Sequence, residues 1–484
     1  MPFPADVART GDAPFALDGA TVRGDPDAAE HLRALVRTRT GVDLGTGGGI
    51  ALTVDGAGPA ESYRLEVSAT GIRIAGADAA GLFYGVQTLG QLVHRDGDAW
   101  VVPSLRIFDA PRFAYRGVML DVARHFHDVA TVRAYIDRAA SLKLNVLHLH
   151  LSDDQGWRLE LRSRPELTAK ASATAVDGAA GGFYAQDEYQ QIVAYAASRH
   201  MTVVPEFDMP GHTHAVGLAY PEIAAAPVVE VITEGSVPVA GEPYTGIGVG
   251  FSSLRIGDEA TDAFVRDVYT ELAELTPGPW LHFGGDESLG TDPEDFARFV
   301  AQTSAVITAL GKTPVAWHEA GAAADLAPGT IGQFWGFVSP TDAAARHARA
   351  FAERGGRLVL SPADAVYLDM KPTADSPLGL TWANGPTSLA RAYGWEPTGV
   401  VEGIGEEAIL GVEAPLWTET VATLEDIDAL AFPRIAAAAE IAWSPASGAE
   451  RSWESFRGRV GGLGPLWTTL GIRFPALEEV PWTA

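Results

Sequence analysis

The sequence predicts an α/β protein: a (β/α)8 TIM barrel preceded by a small α+β accessory domain. Three observations carry this. Beyond Arg112 short apolar runs alternate with helix-length segments, and eight such runs can be counted, the number that closes a parallel barrel. Before Arg112 the pattern is the polar and apolar alternation of half-buried strands. Between the two, Pro103 and the run Asp109-Ala-Pro111 punctuate the chain and divide it into domains at 1–112 and 113–484.

In the amino-terminal part, Ser62-Tyr-Arg-Leu-Glu-Val alternates, Ala69-Thr-Gly71 supplies a turn and Ile72-Arg-Ile74 resumes the alternation, which predicts a hairpin. Leu82, Val86, Leu89 and Val93 then fall at helical spacing, and Trp100-Val-Val reads as a further strand. The barrel strands are expected at 116–123, 145–151, 201–207, 280–284, 313–317, 330–334, 357–360 and 409–416. Two crossover helices show clear apolar stripes, one through Val132, Tyr135, Ile136, Ala139 and Leu142, the other through Phe264, Val265, Val268 and Leu272. Later crossovers are weaker: 322–327 is short for a helix, and 371–400 reads as a long loop with one or two helical turns. Residues 427–443 and 453–470 supply the last helices.

Composition narrows the function classes. With 484 residues, 47% hydrophobic and 20% charged, the chain can bury a large core, and no apolar run reaches the ~18 residues of a membrane span. A formal net charge of −27 argues against a phosphate-backbone partner, so neither nucleic acid nor membrane is expected. The absence of cysteine excludes disulfides, thiolate metal sites and cysteine nucleophiles. The first residues lack a basic segment followed by an apolar one, which leads us to expect a cytoplasmic protein.

The chain is organised around Trp280-Leu-His-Phe-Gly-Gly-Asp286-Glu287-Ser288, an apolar strand that ends in two glycines and two adjacent acids. Neighbouring carboxylates resist ionising together, so one of them, expected to be the better buried, should keep its proton and serve as an acid. An isolated Asp-Glu pair is most often two solvated acids on a loop; what stands at the other strand ends changes that. In a parallel barrel the site lies at the carboxyl ends of the strands. Those ends carry Arg124, Asp153 with Asp154, Asp208 with His212, Asp286 with Glu287, Trp317 with Glu319, Trp335, Tyr367 with Asp369, and Trp417 with Glu419. Aromatic planes stack on the apolar faces of sugar rings, and carboxylates and arginine hydrogen-bond their hydroxyls. The mixture is that of a pocket gripping a sugar.

The runs Arg116-Gly-Val-Met-Leu-Asp-Val-Ala-Arg124-His-Phe, His148-Leu-His-Leu-Ser-Asp153-Asp-Gln-Gly-Trp, Pro205-Glu-Phe-Asp-Met-Pro-Gly-His212-Thr and His282-Phe-Gly-Gly-Asp286-Glu287 resemble family 20 glycoside hydrolases, the β-N-acetylhexosaminidases. The likeness extends from about residue 50 to the end. It implies an exo-acting, retaining enzyme that needs no cofactor or metal. Its substrate would be a terminal β-linked N-acetylhexosamine on an oligosaccharide or glycoconjugate, as in chitin degradation. By the resemblance, Glu287 would protonate the glycosidic oxygen and later activate water. Asp286 would hold the acetamido N–H while the acetamido oxygen attacks the anomeric carbon to give an oxazolinium ion, the substrate-assisted exception among glycosidases. Tyr367 would bind the acetamido oxygen; Trp317, Trp335 and Trp417 would wall the acetamido methyl and floor the ring; Arg124, Asp369 and Glu419 would bind hydroxyls. Asp153 and His212 would support the acid. The residues themselves agree on one point: adjacent acids on one strand end are poorly placed to flank both faces of a sugar.

Two other readings use the same residues. His148 and His150, spaced i, i+2, would point the same way from a strand, and His212, His282, Asp286 or His318 could complete the centre of a metal-dependent barrel hydrolase. A disaccharide-releasing exo-glycosidase could be built on the same strand ends, although Arg124 and Glu419 together suggest a pocket closed around a monosaccharide.

Overall fold

All eight apolar runs form strands, and in the computed structural model, which describes residues 2–231 and 236–483, they close into one barrel in sequential order. The strands are Tyr115–Asp121, Val146–His150, Thr202–Glu206, Trp280–His282, Thr313–Trp317, Ile331–Phe334, Leu358–Leu360 and Ile409–Leu416. Neighbours pair in parallel throughout. Nearly every strand residue is buried, so these segments read as continuous apolar runs rather than as alternating ones. Asp121, His150, Glu206 and His282 are Cα partners across the first four strands, which sets polar side chains in one layer beneath the carboxyl ends.

The expected crossover helices are present as Val129–Ser141 and Glu259–Leu275. Phe264, Val268 and Leu272 are fully buried, each contributing about 1.5–3 kcal/mol by leaving water. Helix Pro293–Ala309 starts sharply because Pro293 needs no N–H partner there and the Asp292 carboxylate accepts the N–H groups of Glu294 at 2.9 Å and Asp295 at 3.4 Å. After the fifth strand a single 3-10 segment, His318–Ala322, stands where 322–327 looked too short for an α-helix. The 371–400 segment holds the short helix Leu389–Tyr393 and a 3-10 turn.

In the amino-terminal part, the hairpin is Tyr63–Ser68 with Gly71–Gly76. It lies within a seven-stranded sheet ordered 6–9, 105–109, 63–68, 71–76, 50–54, 21–24, 45–46. Helix Ala79–Leu92 matches its apolar stripe; helix Pro26–Thr40 was not foreseen, because only Ala29, Leu32 and Val36 of its residues are buried. No described helix is long and apolar enough to cross a membrane.

The chain gathers into two compact units, Gly117–Arg138 with Asn145–Arg434, and Met1–Arg116 with Ala139–Leu144 and Ile435–Ala484. We retain the boundary near residue 112 as a proposal about chain order, since in space the last residues group with the first. Within that second unit, Trp443 Nε1 donates to Asp109 Oδ1 at 2.9 Å and the Phe3 N–H donates to Glu440 at 3.3 Å. Lys143, almost fully buried, donates to the other Asp109 oxygen at 2.8 Å and to the Tyr63 hydroxyl at 2.9 Å. Burial lowers the Lys143 ammonium from its ordinary range, and Asp109 offsets part of that shift.

Removing one partner of a buried pair strands the other as an unpaired charge. Lys143→Met is therefore expected to lower stability by about 3–5 kcal/mol. Urea unfolding should detect it, and adding Asp109→Asn should recover part of the loss.

Candidate active site

The fourth strand ends at His282, and Gly284 and Gly285 follow with φ of 72° and 95°, a left-handed course that only glycine takes freely. A Cβ on Gly284 would lie 1.7 Å from Asp208 Oδ1, while the Gly285 N–H donates to that oxygen at 2.9 Å. The chain is thus pinned against the end of the third strand. Glu287 comes next but one, itself left-handed at φ 44°. A non-glycine residue held there costs on the order of 1–3 kcal/mol, and such strain gathers at functional sites.

Asp286 and Glu287 reach the same imidazole. His212 Nε2 lies 3.7 Å from Asp286 Oδ2 and 3.6 Å from Glu287 Oε2, and its Nδ1 hydrogen-bonds Asp153 Oδ1 at 3.0 Å. Asp153 in turn accepts from Arg124 at 2.7 Å. Burial favours the neutral forms of both Asp153 and His212, but each outweighs it for the other: Arg124 and His212 hold Asp153 well below the carboxylate range, and Asp153, Asp208 and Asp286 hold His212 well above the imidazole range. The Glu287 carboxyl is pushed up to about 7 by burial among the pocket walls, with His212 pulling it down and Asp286 pushing it up. This corrects one expectation. The raised acid is the more open of the two, with 32% of its side chain exposed against 9% for Asp286. Accessibility to the empty pocket is a poor guide to how completely protein surrounds a carboxyl.

The acids open into a cavity of about 790 Å³, within the range of small-molecule sites. Of the residues expected in the site, Arg124, Asp286, Glu287, Trp335, Tyr367, Trp417 and Glu419 line it. Asp153, His212, Trp317 and Asp369 are buried behind them. Trp317 belongs to an apolar cluster with Tyr367 and Trp417 rather than to the cavity wall. Arg124 lies 4.9 Å over the Trp417 ring. Burial and the Asp286 charge keep the Tyr367 hydroxyl protonated far above its ordinary range. Neither carboxyl oxygen of Asp369, nor Oε2 of Glu419, finds a hydrogen-bond partner among the described residues. Buried polar atoms left this way are what a ligand's hydroxyls would satisfy.

Two contributors, Asp208 and Glu319, have no role assigned from sequence, and a third, Trp382, reads there as either a stacking surface for the next sugar or a packing residue. Asp208, beside Asp286, is raised well above the carboxylate range by burial and by that neighbour. Glu319 receives the Trp335 indole N–H on both oxygens at 3.0 Å. Trp382, 48% exposed at the cavity, meets Trp335 and Tyr367 edge to face. The signal for Asp208 and Glu319 was their place at strand ends; nothing in the sequence revealed what they touch. As for the metal reading, among the described residues four sets of three acidic or histidine ligand atoms lie within 4.8 Å of one another; one joins His148 with His282 and one His212 with Asp286, and none holds His148 and His150 together.

The arrangement is a proton donor active near neutrality beside an anionic partner. A carbon-13 titration of Glu287, assigned with Glu287→Gln, should have its midpoint near 7, and His212→Gln should move it to higher pH by removing a positive neighbour. The folded value lies above the ordinary 4.5, so the stability that Glu287 contributes is fully present below that pH and is lost as pH rises through about 7. Glu287→Gln should accordingly match the wild-type Tm at about pH 4 and exceed it at about pH 8.

Comparison with known proteins agrees with this geometry. The profile "Glycosyl hydrolase family 20, catalytic domain" matches residues 113–292 and 288–446, and "Glycosyl hydrolase family 20, domain 2" matches residues 1–110. A beta-N-acetylhexosaminidase of Cellulomonas fimi is 40% identical over 100% of this chain and 97% of its own. A solved family 20 beta-N-acetylglucosaminidase is 61% identical with a TM-score of 0.94, covering 100% of this chain and 99% of its own. A mutant Streptomyces plicatus beta-hexosaminidase in complex with the product GlcNAc is 43% identical with a TM-score of 0.92, covering 100% and 97%. On these matches, and on the acid pair that its barrel presents, the chain belongs to glycosyl hydrolase family 20 and is a glycoside hydrolase.

Proposed function

We propose that the enzyme is an exo-acting, retaining β-N-acetylhexosaminidase that releases terminal N-acetylglucosamine or N-acetylgalactosamine by substrate-assisted catalysis. One observation carries the reading: Asp286 and Glu287 both reach one nitrogen of His212, so they stand on one side of the pocket instead of facing each other across a sugar. A protein nucleophile and an acid would have to flank the anomeric carbon from opposite faces. An acid and an orienting carboxylate need not.

In this mechanism Glu287, protonated up to about pH 7, gives its proton to the glycosidic oxygen as the bond breaks. The buried Asp286 Oδ1, which has no hydrogen-bond partner among the described residues, accepts the acetamido N–H. The Tyr367 hydroxyl donates to the acetamido oxygen, which attacks the anomeric carbon and closes an oxazolinium ring. Positive charge develops on that ring beside the Asp286 carboxylate, in a site already arranged to favour it. Glu287, now ionised, takes a proton from the water that opens the ring. Trp335, held by Glu319, and Trp382 wall the acetamido group. Arg124, Glu419 and Asp369 receive the hydroxyls farthest from the bond being cleaved. The GlcNAc held by the Streptomyces plicatus relative supports the choice of sugar.

Hydrolysis of an aryl β-N-acetylglucosaminide beside the matched β-glucoside tests the reading. Only the acetamido sugar should be cleaved, with the β-anomer released first by proton NMR, and activity should be unchanged after dialysis against a chelator. Glu287→Gln should lower kcat by about 10²- to 10⁴-fold. Equal cleavage of both sugars would return a protein nucleophile to the search; loss of activity to the chelator would favour the metal reading.

A further inference from the structure

The mechanism above leaves the His148-Leu-His150 pair unused, yet both histidines are fully buried against carboxylates in the barrel interior. Glu206, fully buried on the third strand, is its centre. Its Oε2 accepts from His150 Nδ1 at 2.6 Å and lies 3.0 Å from His148 Nε2. Its Oε1 accepts from the Trp317 indole at 2.8 Å and lies 3.0 Å from His282 Nδ1. Both histidines do point the same way, as i, i+2 residues of a strand should. What they meet is a carboxylate.

The contacts continue toward the reaction centre. His150 Nε2 bonds Asp153 Oδ2 at 2.8 Å, and the other Asp153 oxygen bonds His212 Nδ1 at 3.0 Å. His212 Nε2 is the atom that faces Glu287 at 3.6 Å. Bonding a carboxylate through each nitrogen requires His150 to carry both protons. Burial opposes that charge, but Glu206 and Asp153 hold the imidazole up to about 10. On the far side, His148 Nδ1 bonds Glu413 at 2.9 Å, and Glu413 also accepts from Gln333 at 2.6 Å.

We infer that Glu206 is a positioning residue for the proton donor, acting through His150, Asp153 and His212 on Glu287 without touching substrate. The bonds run from Glu206 through His150 and Asp153 to His212, with Arg124 also held by Asp153, so the orientation of His212 is set from the barrel interior as well as from the pocket side. Fully buried ion pairs add little stability over an apolar layer of the same shape. An effect on the reaction is the more economical account of this layer. The inference rests on the reading of Glu287 as general acid, and the test separates the two.

Two N-acetylglucosaminides are compared, one with an alkyl aglycone, whose oxygen must be protonated to depart, and one with a 2,4-dinitrophenyl aglycone, which leaves without a proton. Failure of the wild type on both would sink the functional reading itself. With the wild type active, Glu206→Gln is expected to lower kcat/KM about 100-fold on the alkyl substrate and less than about fivefold on the dinitrophenyl one. Glu287→Gln should give the same asymmetry in stronger form. Equal losses on both substrates, as a merely structural role would produce, or no loss on either, would overturn the proposal. Should Glu206→Gln not fold, His150→Gln carries the same test, since it leaves the Trp317 contact to Glu206 in place.

Discussion

The contact between the Gly284–Gly285 turn and the Asp208 carboxyl is the constraint on which the site depends. No side chain fits at Gly284, and Gly285, where a Cβ would have room, is held at φ 95°, so consecutive glycines let the fourth strand turn beside the third. The Gly285 N–H bond to Asp208 then fixes the direction in which the chain leaves. Asp286 and Glu287 emerge from it with little freedom. Seven described non-glycine residues have positive φ, and two of them, His212 and Glu287, face each other across the acid. The strain of two such residues, on the order of 1–3 kcal/mol each, is tolerable because the strands beneath are buried almost throughout.

Around this turn the protein manages an excess of negative charge by giving each acid a different neighbour. Asp153 has Arg124, His150 and His212, and is held ionised. Asp208 has burial and Asp286, and both raise it above the carboxylate range. Glu287 lies between these cases, pulled down by His212 and Arg124 and pushed up by burial and Asp286. Three acids of similar intrinsic strength are thereby pushed in different directions: Asp153 down, Asp208 up, and Glu287 to about 7, in the working range. This division of roles is what acid–base chemistry at neutral pH requires. It comes from placement alone.

Much of this was legible in the sequence, for reasons that differ by element. The eight barrel strands were readable because strands buried on both faces are continuous apolar runs, and Gly-Gly-Asp-Glu stood out because its glycines have no packing purpose in a strand. The resemblance then supplied roles for Asp286 and Glu287 that spacing could not. Helix Pro26–Thr40 escaped because charged residues dominate its exposed face. Trp317 and Asp369 were read as lining residues because a strand end does not reveal whether a side chain opens into the cavity or lies beneath it. The polarity of the His148–His150 pair was visible, but its partners Glu206 and Glu413 are on other strands, so metal and carboxylate could not be told apart. The grouping of residues 435–484 with the amino-terminal residues has no sequence signature, since it depends on contacts such as Phe3 with Glu440.

The polar layer under the pocket bears on why a barrel suits this chemistry. Barrel interiors are ordinarily filled by branched apolar side chains. Here Asp121, His150, Glu206 and His282 are neighbours in one register layer, with His148, Gln333 and Glu413 joined to it by hydrogen bonds or close ion contacts. Taking ions such as Glu206 and His150 from water costs several kcal/mol each before their mutual attraction returns it. A loop could not hold them in register; eight paired strands can. Each strand therefore sets both an exposed end and the buried side chain behind it, and the parallel register makes those positions mutually fixed. Groups arranged in this way need no reorganisation as charge develops on the substrate, which is how a preorganised site lowers a barrier. The barrel thus acts as more than a frame for loops: hydrogen bonds join its interior to His212, whose Nε2 faces the acid at its rim from 3.6 Å.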